Sequence, residues 1–250
     1  MLFITKAQAK RSTGIAYLGS VNMTHKHQKA YDYNELVYGL YLAPANLSGY
    51  EVCPMRSQEC TDLCLNGSGM AVLYENMVVQ GRIKRTKLFF EYRTFFMEWM
   101  IDEINAAKRK ADKLGYRFSV RLNNTSDISP ESFYIFKDGR NMNILELFPD
   151  VQFYDYTKVP KRVELMKKYP NYDVTFSYSG FNMGVCEEML KNNVRVAMVF
   201  KNVPDTFMGY KVIDGDAYDM RYLDPSNVIV GLKFKRVKNK ITNKTKFVIQ

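Results

Sequence analysis

Three of the four cysteines lie within twelve residues, in the stretch "CPMRSQECTDLC" at positions 53–64. Their spacing, C-x6-C-x3-C, allows one loop to present Cys53, Cys60 and Cys64 together. An iron–sulfur cluster needs three or four thiolates that converge from a flexible loop. We therefore predict a [4Fe–4S] cluster on these three cysteines, while a [3Fe–4S] or [2Fe–2S] cluster stays open.

The alternatives to a cluster are that these thiols form disulfide bonds or bind zinc. Four cysteines in 250 residues are too few for a disulfide framework, and a reducing cytoplasm keeps them as thiols. A structural zinc site usually has pairs of closely spaced ligands such as C-x2-C, and this chain has no such pair of cysteines. A Cys3His zinc site that uses His25 or His27 remains open at this point.

The fourth cysteine separates two kinds of chemistry. Cys186 falls at the start of a predicted helix, on the side of the sheet where the cysteine loop should lie. As a fourth ligand it would favour electron transfer or a structural role. If it is instead a small buried side chain without a metal role, one iron stays open for a substrate or S-adenosylmethionine.

The elements that must position these residues follow from hydrophobic periodicity. Apolar residues recur at three- and four-residue spacing from about Gly69 to Leu114, which predicts helices, and Gly115 is a plausible C-cap. Short apolar segments then alternate with helical ones, which predicts βα units and a mostly parallel sheet. The predicted strands are 36–43, 117–123, 151–157, 172–179 and 194–200, and the predicted helices are 143–148, 159–169 and 184–192.

We predict an α/β fold in a single domain of 250 residues. An N-terminal segment, 1–50, leads to the cysteine loop, an α/β core spans 51–232, and a basic C-terminal segment covers 233–250. The two terminal segments are expected to be peripheral additions to the sheet.

Polar residues follow the predicted strands, where the loops of parallel α/β folds converge on a ligand. Arg121 and Asp127 flank one strand end, and Asp155 and Lys158 flank the next. These four are the candidate substrate-binding residues, since a carboxylate and a cation there would suit a polar substrate beside the cluster. Ion pairs that close the mouth of the sheet are the alternative.

Two charged regions lie outside this group. The net charge is +10, and the C-terminal segment holds seven Lys/Arg and no acid, which suits either a solvated strand pair or a polyanionic partner such as nucleic acid. Asp214, Asp216, Asp219 and Asp224 are clustered, as for a divalent metal, although an Asp-rich turn that pairs with Arg221 is the better interpretation. The basic stretch "GRIKRTK" at 81–87 suits a solvated helix face or a phosphate contact.

Several segments of the chain, in this order, resemble a known family. The resemblance spans residues 36 to 235, and the segments are "LYLAPANLSGYEVCPMRSQECTDLCLNGSG", "GRIKRTKLFF", "VRLNNTSDI", "FPDVQFYDYTK", "NYDVTFSYS", "VRVAMVF", "VIDGDAYDMRYLDP" and "VIVGLKFK". They are similar to proteins encoded mainly by bacteriophages and related to the phage gene product 88 group, whose cysteine loop resembles that of radical SAM proteins.

The resemblance implies a partial (β/α) barrel like that of radical SAM proteins, with a cluster on Cys53, Cys60 and Cys64. Radical SAM proteins typically have C-x3-C-x2-C, so the first interval is longer here, and no Gly-Gly-Glu segment follows it. S-adenosylmethionine is accordingly a candidate ligand whose usual contact segment is missing.

Two functions remain open on the sequence. The first is a phage-encoded iron–sulfur protein with redox or SAM-like chemistry on a nucleotide, a nucleic acid or another small molecule. The second is a non-catalytic iron–sulfur or zinc module that docks on nucleic acid or a host protein through its basic segment. No stretch approaches the roughly 20 apolar residues of a membrane helix, and the start lacks the layout of a signal peptide, so we expect the protein in the host cytoplasm.

Overall fold

A mostly parallel sheet of ten strands lies at the centre of the computed structural model, which describes residues 5–64, 75–137, 139–235 and 245–250. A separate two-stranded hairpin accompanies it. Within these ranges the strands are β1 (Gly19–Val21), β2 (Glu35–Leu40), β3 (Arg117–Arg121), β4 (Ile135–Lys137), β5 (Arg140–Met142), β6 (Gln152–Thr157), β7 (Tyr172–Ser177), β8 (Val196–Phe200), β9 (Thr206–Phe207), β10 (Tyr210–Asp214), β11 (Ile229–Lys233) and β12 (Val248–Ile249).

Eight α-helices accompany the strands in the described ranges, together with short 3-10 turns at Lys29–Tyr33, Pro130–Ser132 and Arg221–Leu223. The helices are α1 (Lys6–Thr13), α2 (His25–Gln28), α3 (Gln58–Asp62), α4 (Glu75–Glu91), α5 (Arg93–Leu114), α6 (Ile144–Leu147), α7 (Pro160–Lys168) and α8 (Met183–Lys191).

The strand order of the large sheet is β1-β2-β3-β6-β7-β8-β11-β10-β9. Every neighbouring pair from β2 to β10 is parallel, while β1 and β9 are antiparallel edge strands. Among the described strands no pairing joins the two edges, so the sheet is open and not a closed barrel. The prediction of an α/β fold with a mostly parallel sheet is confirmed.

The strands and helices predicted between residues 117 and 200 all form, with ends that differ by at most two residues. The helical region is also confirmed as α4 and α5, and its first residues, up to 74, lie outside the described ranges. Gly115 caps α5 in the left-handed region, at φ +65°, with its N–H directed to the carbonyls of Ala111 and Asp112.

The two faces of the sheet differ in polarity because side chains alternate along each strand. Tyr38, Val120 and Phe153 lie on one face, in the main hydrophobic core with Trp99 and Met100 of α5. The opposite face carries many polar side chains, namely Glu35, Ser119, Arg121, Tyr154, Tyr156, Thr175 and Ser177. The longer helices therefore cover one face, while the polar face is covered by other segments, including the short helix α2.

The connection between β10 and β11, residues 215–228, lies against this polar face. The two strands are adjacent and parallel, so the chain must run back along the sheet between them. On the way Met220 packs with Val37 and Tyr154 in a small apolar cluster. This places the Asp-rich stretch over the middle of the sheet.

The terminal segments also enter the sheet. The N-terminal segment supplies β1 and β2, and the end of the chain supplies β12, whose Val248 and Ile249 pair in parallel with Val199 and Phe200 of β8. Strand β7 covers only the first part of that edge, up to Ala197. No helix in the described ranges is both long enough and apolar enough to cross a membrane.

Candidate functional site: a cavity beneath the cysteine loop

A cavity of about 760 Å³ lies between the cysteine loop and the carboxyl ends of β3, β6, β7, β8 and β11. This volume lies within the roughly 300–1,000 Å³ range typical of small-molecule sites, and its position is the one at which parallel α/β sheets bind ligands. Cys53, Cys60 and Cys64 all line it, as do Arg121 and Lys158. The predicted loop and the predicted strand ends therefore meet in one place.

The cysteine loop is ordered by local hydrogen bonds. Ser57 caps α3, since its Oγ accepts from the backbone N–H of Cys60 at 3.0 Å, and the same hydroxyl donates to the carbonyl of Ser179 at 2.5 Å. The backbone N–H of Cys53 donates to Glu51 Oε1 at 2.8 Å. Thus the loop is held both by its own residues and by the segment that follows β7.

The end of the chain fastens the same loop from the other side. Glu59 Oε2 accepts hydrogen bonds from Thr245 Oγ1 at 2.6 Å and from the backbone N–H of Phe247 at 2.8 Å. Phe247 also lines the cavity. Gly180 permits this close approach, because its φ is +96° and a Cβ there would lie 3.1 Å from the Phe247 nitrogen. We call residues 245–250 the C-terminal strap.

Lys158 is the cation that faces the three thiols. Burial alone would lower its pKa, but the Cys60 sulfur, the Asp127 carboxylate and the sulfurs of Cys53 and Cys64 raise it above the usual value. Lys158 therefore stays protonated, and its ammonium group makes no ion pair within 4 Å of a carboxylate in the described residues. A cation in this position stabilises thiolates over thiols.

Burial opposes the effect of Lys158, because it favours the protonated thiol over the charged thiolate. It raises the pKa of Cys53 to about 11, against the smaller lowering influences of a backbone hydrogen bond and of Lys158. At neutral pH Cys53 is consequently a thiol, and a metal that binds it must displace a proton.

Cys186 is not part of the cavity lining, although Lys158, which is, lies close enough to lower the pKa of its thiol against the larger, raising effect of burial. Cys186 is fully buried in the main core on α8, and its Sγ lies 3.9 Å from Asn182 Oδ1. Burial raises the pKa of its thiol to about 12. These surroundings are those of a small apolar core residue.

The four candidate substrate-binding residues fall into two groups. Arg121, Asp127 and Lys158 line the cavity, but Asp155 does not. The reason is strand alternation, since Tyr154 and Tyr156 of β6 point to the polar face and Asp155 points to the helix-covered face. Lys158 comes after the end of β6 and is not subject to this alternation.

Asp155 and Asp127 share a buried cation. Arg162 of α7 donates to Asp127 Oδ1 at 2.7 Å, to Asp155 Oδ2 at 3.1 Å and to Glu131 Oε1 at 3.1 Å. Asp127 additionally accepts from the backbone N–H of Lys158 at 2.7 Å, which fixes the loop after β6. This network positions Lys158, and its carboxylates are engaged by the chain itself.

A second buried acid, Asp219, lies behind Arg121. Its carboxylate accepts from Arg121 Nη1 and from the Tyr154 hydroxyl, and it lies 3.1 Å from His27 Nε2 and 3.4 Å from Lys26 Nζ. Burial alone would raise its pKa, but Arg121, Lys26 and His27 hold it well below the usual range. Asp219 is therefore an anion that organises cations around the cavity.

The other acids of the Asp-rich stretch are also paired within the chain. Asp224 lies 3.0 Å from Arg221, Asp216 lies 3.3 Å from Lys235, and Asp214 accepts from the backbone N–H of Asp216. This arrangement fits the Asp-rich turn that the sequence favoured.

No group of three or more His, Cys, Asp or Glu side chains in the described ranges is arranged to hold one metal ion. His27 is buried against Asp219 and Tyr41 and does not line the cavity, and His25 is exposed. A single zinc ion needs its ligands within about 2.3 Å of one point. A cluster several Å across, in which each iron takes one cysteine, allows the three thiols to be farther apart.

Sequence reasoning did not place three residues at the cavity. Lys26 and Tyr156 both line it, and Asp219 stands directly behind its wall. Strand alternation gives a signal for Tyr156, which points to the face opposite to that of Asp155. Lys26 lies on α2 and Asp219 on the connection between β10 and β11, and no local pattern brings either residue to the cavity.

Comparison with protein families gives one match, the Gene product 88 model, over residues 3–250. The chain belongs to the Gene product 88 family. The match covers nearly the whole chain and confirms the expected relation to a phage protein family. No curated protein and no solved structure matches the chain.

Proposed function

We propose that this member of the Gene product 88 family is an iron–sulfur protein of the host cytoplasm whose cavity is a reaction chamber. The observation that carries the proposal is that Cys53, Cys60 and Cys64 line one cavity with Lys158, whereas Cys186 does not line it. Three thiols without the fourth favour a [4Fe–4S] cluster with one open iron, as proteins of radical SAM type have. When bound, such a cluster supplies either electrons or an open iron site for a polar group of a ligand.

The residues of the chain have separate parts in this proposal. The three cysteines would hold the cluster, and the Lys158 ammonium would offset the negative charge that the thiolates bring into the cavity. Ser57, Glu59 and the C-terminal strap keep the loop in place. The cavity offers a ligand room beside the thiols, which supports an enzyme over a docking module.

The docking alternative has less support from the C-terminal segment. Residues 245–250 are committed to the strap and to β12, so part of the basic segment belongs to the fold. S-adenosylmethionine remains a candidate ligand within the proposal, because its amino and carboxylate groups suit an open iron.

The test is anaerobic reconstitution of the purified full chain with iron and sulfide. We expect a brown protein with about four irons, broad visible absorbance and bleaching by dithionite. Cys53→Ser, Cys60→Ser and Cys64→Ser should each lose most of the iron. Cys186→Ala is the matched control, since it removes a buried thiol without placing a hydroxyl in the core, and it should keep the cluster.

Two results would contradict the proposal. A colourless protein with one zinc per chain would replace the cluster by a zinc site. Loss of iron in Cys186→Ala, with unchanged thermal stability, would show a closed cluster and remove the open iron.

A further inference from the structure

The side of the cavity next to Tyr156 has more cations than anions. Arg121 and Lys26 share the carboxylate of Asp219, and Asp216, whose pKa Lys26 also lowers, pairs with Lys235. Three cations therefore face two anions at this corner. Both cations lie over the Tyr156 ring, at 4.6 Å for the Arg121 guanidinium and 5.9 Å for Lys26 Nζ. Lys158 follows the end of β6 and lines the same cavity.

Two polar atoms in this corner have no hydrogen-bond partner among the described residues. They are the Tyr156 hydroxyl and Arg121 Nε, and both are buried. Such atoms are rare, because a buried donor without a partner is energetically unfavourable. Donors near a surplus of positive charge suit an anionic acceptor.

The rest of the cavity suits an apolar or aromatic group. On β8 and β11 the side chains that line the cavity are apolar, namely Ala197, Val199 and Leu232. Two aromatic side chains, Phe234 and Phe247, line the same part of the cavity. A volume of about 760 Å³ admits a molecule much larger than a free phosphate ion.

We propose that the cavity binds a phosphorylated small molecule of nucleotide size, with its phosphate beside Tyr156, Arg121 and Lys26. A phosphate dianion is favoured over a carboxylate because two cations, not one, lie against the Tyr156 ring. The inference rests on the proposed function in one respect, namely that the bound molecule is the substrate of the reaction. Binding itself requires no cluster.

The experiment uses the metal-free full chain, so that its outcome is independent of cluster assembly. Thermal shift and calorimetry are measured with AMP, adenosine and inorganic phosphate. We expect AMP to bind at least tenfold more tightly than either of the other two probes. Equal binding of adenosine would overturn the anion site, and equal binding of phosphate would overturn the nucleotide size.

Single substitutions test whether the phosphate binds beside Tyr156. Tyr156→Phe removes a hydroxyl that has no partner, so the fold should be unharmed while AMP binding weakens about tenfold. Lys26→Met should weaken it similarly, and Asp219 keeps Arg121, Tyr154 and His27 in that variant. Lys191→Met, at the exposed end of α8, is the charge-matched control. The proposal fails if AMP does not bind, or if Tyr156→Phe and Lys26→Met bind it as the unmodified chain does.

Discussion

Nη1 of Arg121 donates to both carboxylate oxygens of Asp219, at 3.0 and 2.8 Å, although the two residues lie 98 positions apart in the chain. This pair ties the connection between β10 and β11 to the end of β3. It also fixes the cation that lines the cavity, so the stability of the fold and the shape of the site depend on the same contact.

Replacing Asp219 by Asn should lower the free energy of unfolding by about 3–5 kcal/mol at pH 6, because Arg121 and Lys26 then lack their buried anion. The Asp219 pKa is depressed in the folded state, so its contribution is present above the unfolded value of about 3.9 and is lost as pH falls below it. Urea unfolding from pH 6 to pH 3 should therefore show the gap between the two proteins narrowing.

Asp102→Asn serves as the control for this measurement. Its partner is Lys6, and both side chains are well exposed, at 62% and 46%. We expect Asp102→Asn to lower the free energy of unfolding by less than about 1 kcal/mol, because this ion pair is exposed. A constant gap between Asp219→Asn and the unmodified protein across the pH range would contradict the prediction.

Replacing Arg162 by Met should destabilise the protein by about 3–5 kcal/mol, measured by urea unfolding at pH 7. The Arg162 side chain is only 2% exposed, and three carboxylates share it. Without it, Asp127, Asp155 and Glu131 would be buried together without their common donor. Lys161→Met, on the exposed face of the same helix, should cost less than about 0.5 kcal/mol. A loss in Arg162→Met as small as that of the control would show that the network does not hold the fold.

Alkylation of Cys53 by iodoacetamide should be slow at pH 8 and rise steeply towards pH 11, since only the thiolate reacts and burial raises this pKa to about 11. Peptide mass spectrometry resolves the modified site. In urea the pH at which the same cysteine reacts at half its maximal rate should be about 8.5, the pKa of an exposed thiol. A midpoint below 9 in the folded protein would mean that Lys158 outweighs burial.

The C-terminal strap can be tested through Glu59. Glu59→Gln weakens two charge-assisted hydrogen bonds to Thr245 and Phe247, and we expect about 1–2 kcal/mol less protection of the cysteine loop. Hydrogen exchange of the amides from 57 to 63 gives the measurement. Glu188→Gln, exposed on α8, should leave these amides unchanged. Equal exchange in both variants would show that the strap does not order the loop.

Much of the sheet is readable from the sequence because its strands are short apolar runs and its helices have a clear three- and four-residue period. The edge strand β1 and the strands β9 to β12 are not evident from the sequence pattern. Strands β1, β9 and β12 are only two or three residues long, and β10 overlaps the Asp-rich stretch. Two or three residues carry too little periodicity to mark a strand.

The site was predictable in part for the same reason. Cys53, Cys60 and Cys64 are close in the chain, and Lys158 follows a strand whose end is evident, so local reasoning brings them together. Asp155 and Lys158 are close in the chain, but Asp155 lies within β6 and points to the opposite face from the cavity. Lys26 and Asp219 reach the cavity through contacts made across most of the chain, and such contacts appear only when the fold is known.

The placement of β12 couples the edge of the sheet to the cavity. Phe247 lines the cavity and donates to Glu59 of the cysteine loop, and the next two residues pair with β8. Detachment of β12 from β8 would thus open the cavity and loosen the cysteine loop in a single step.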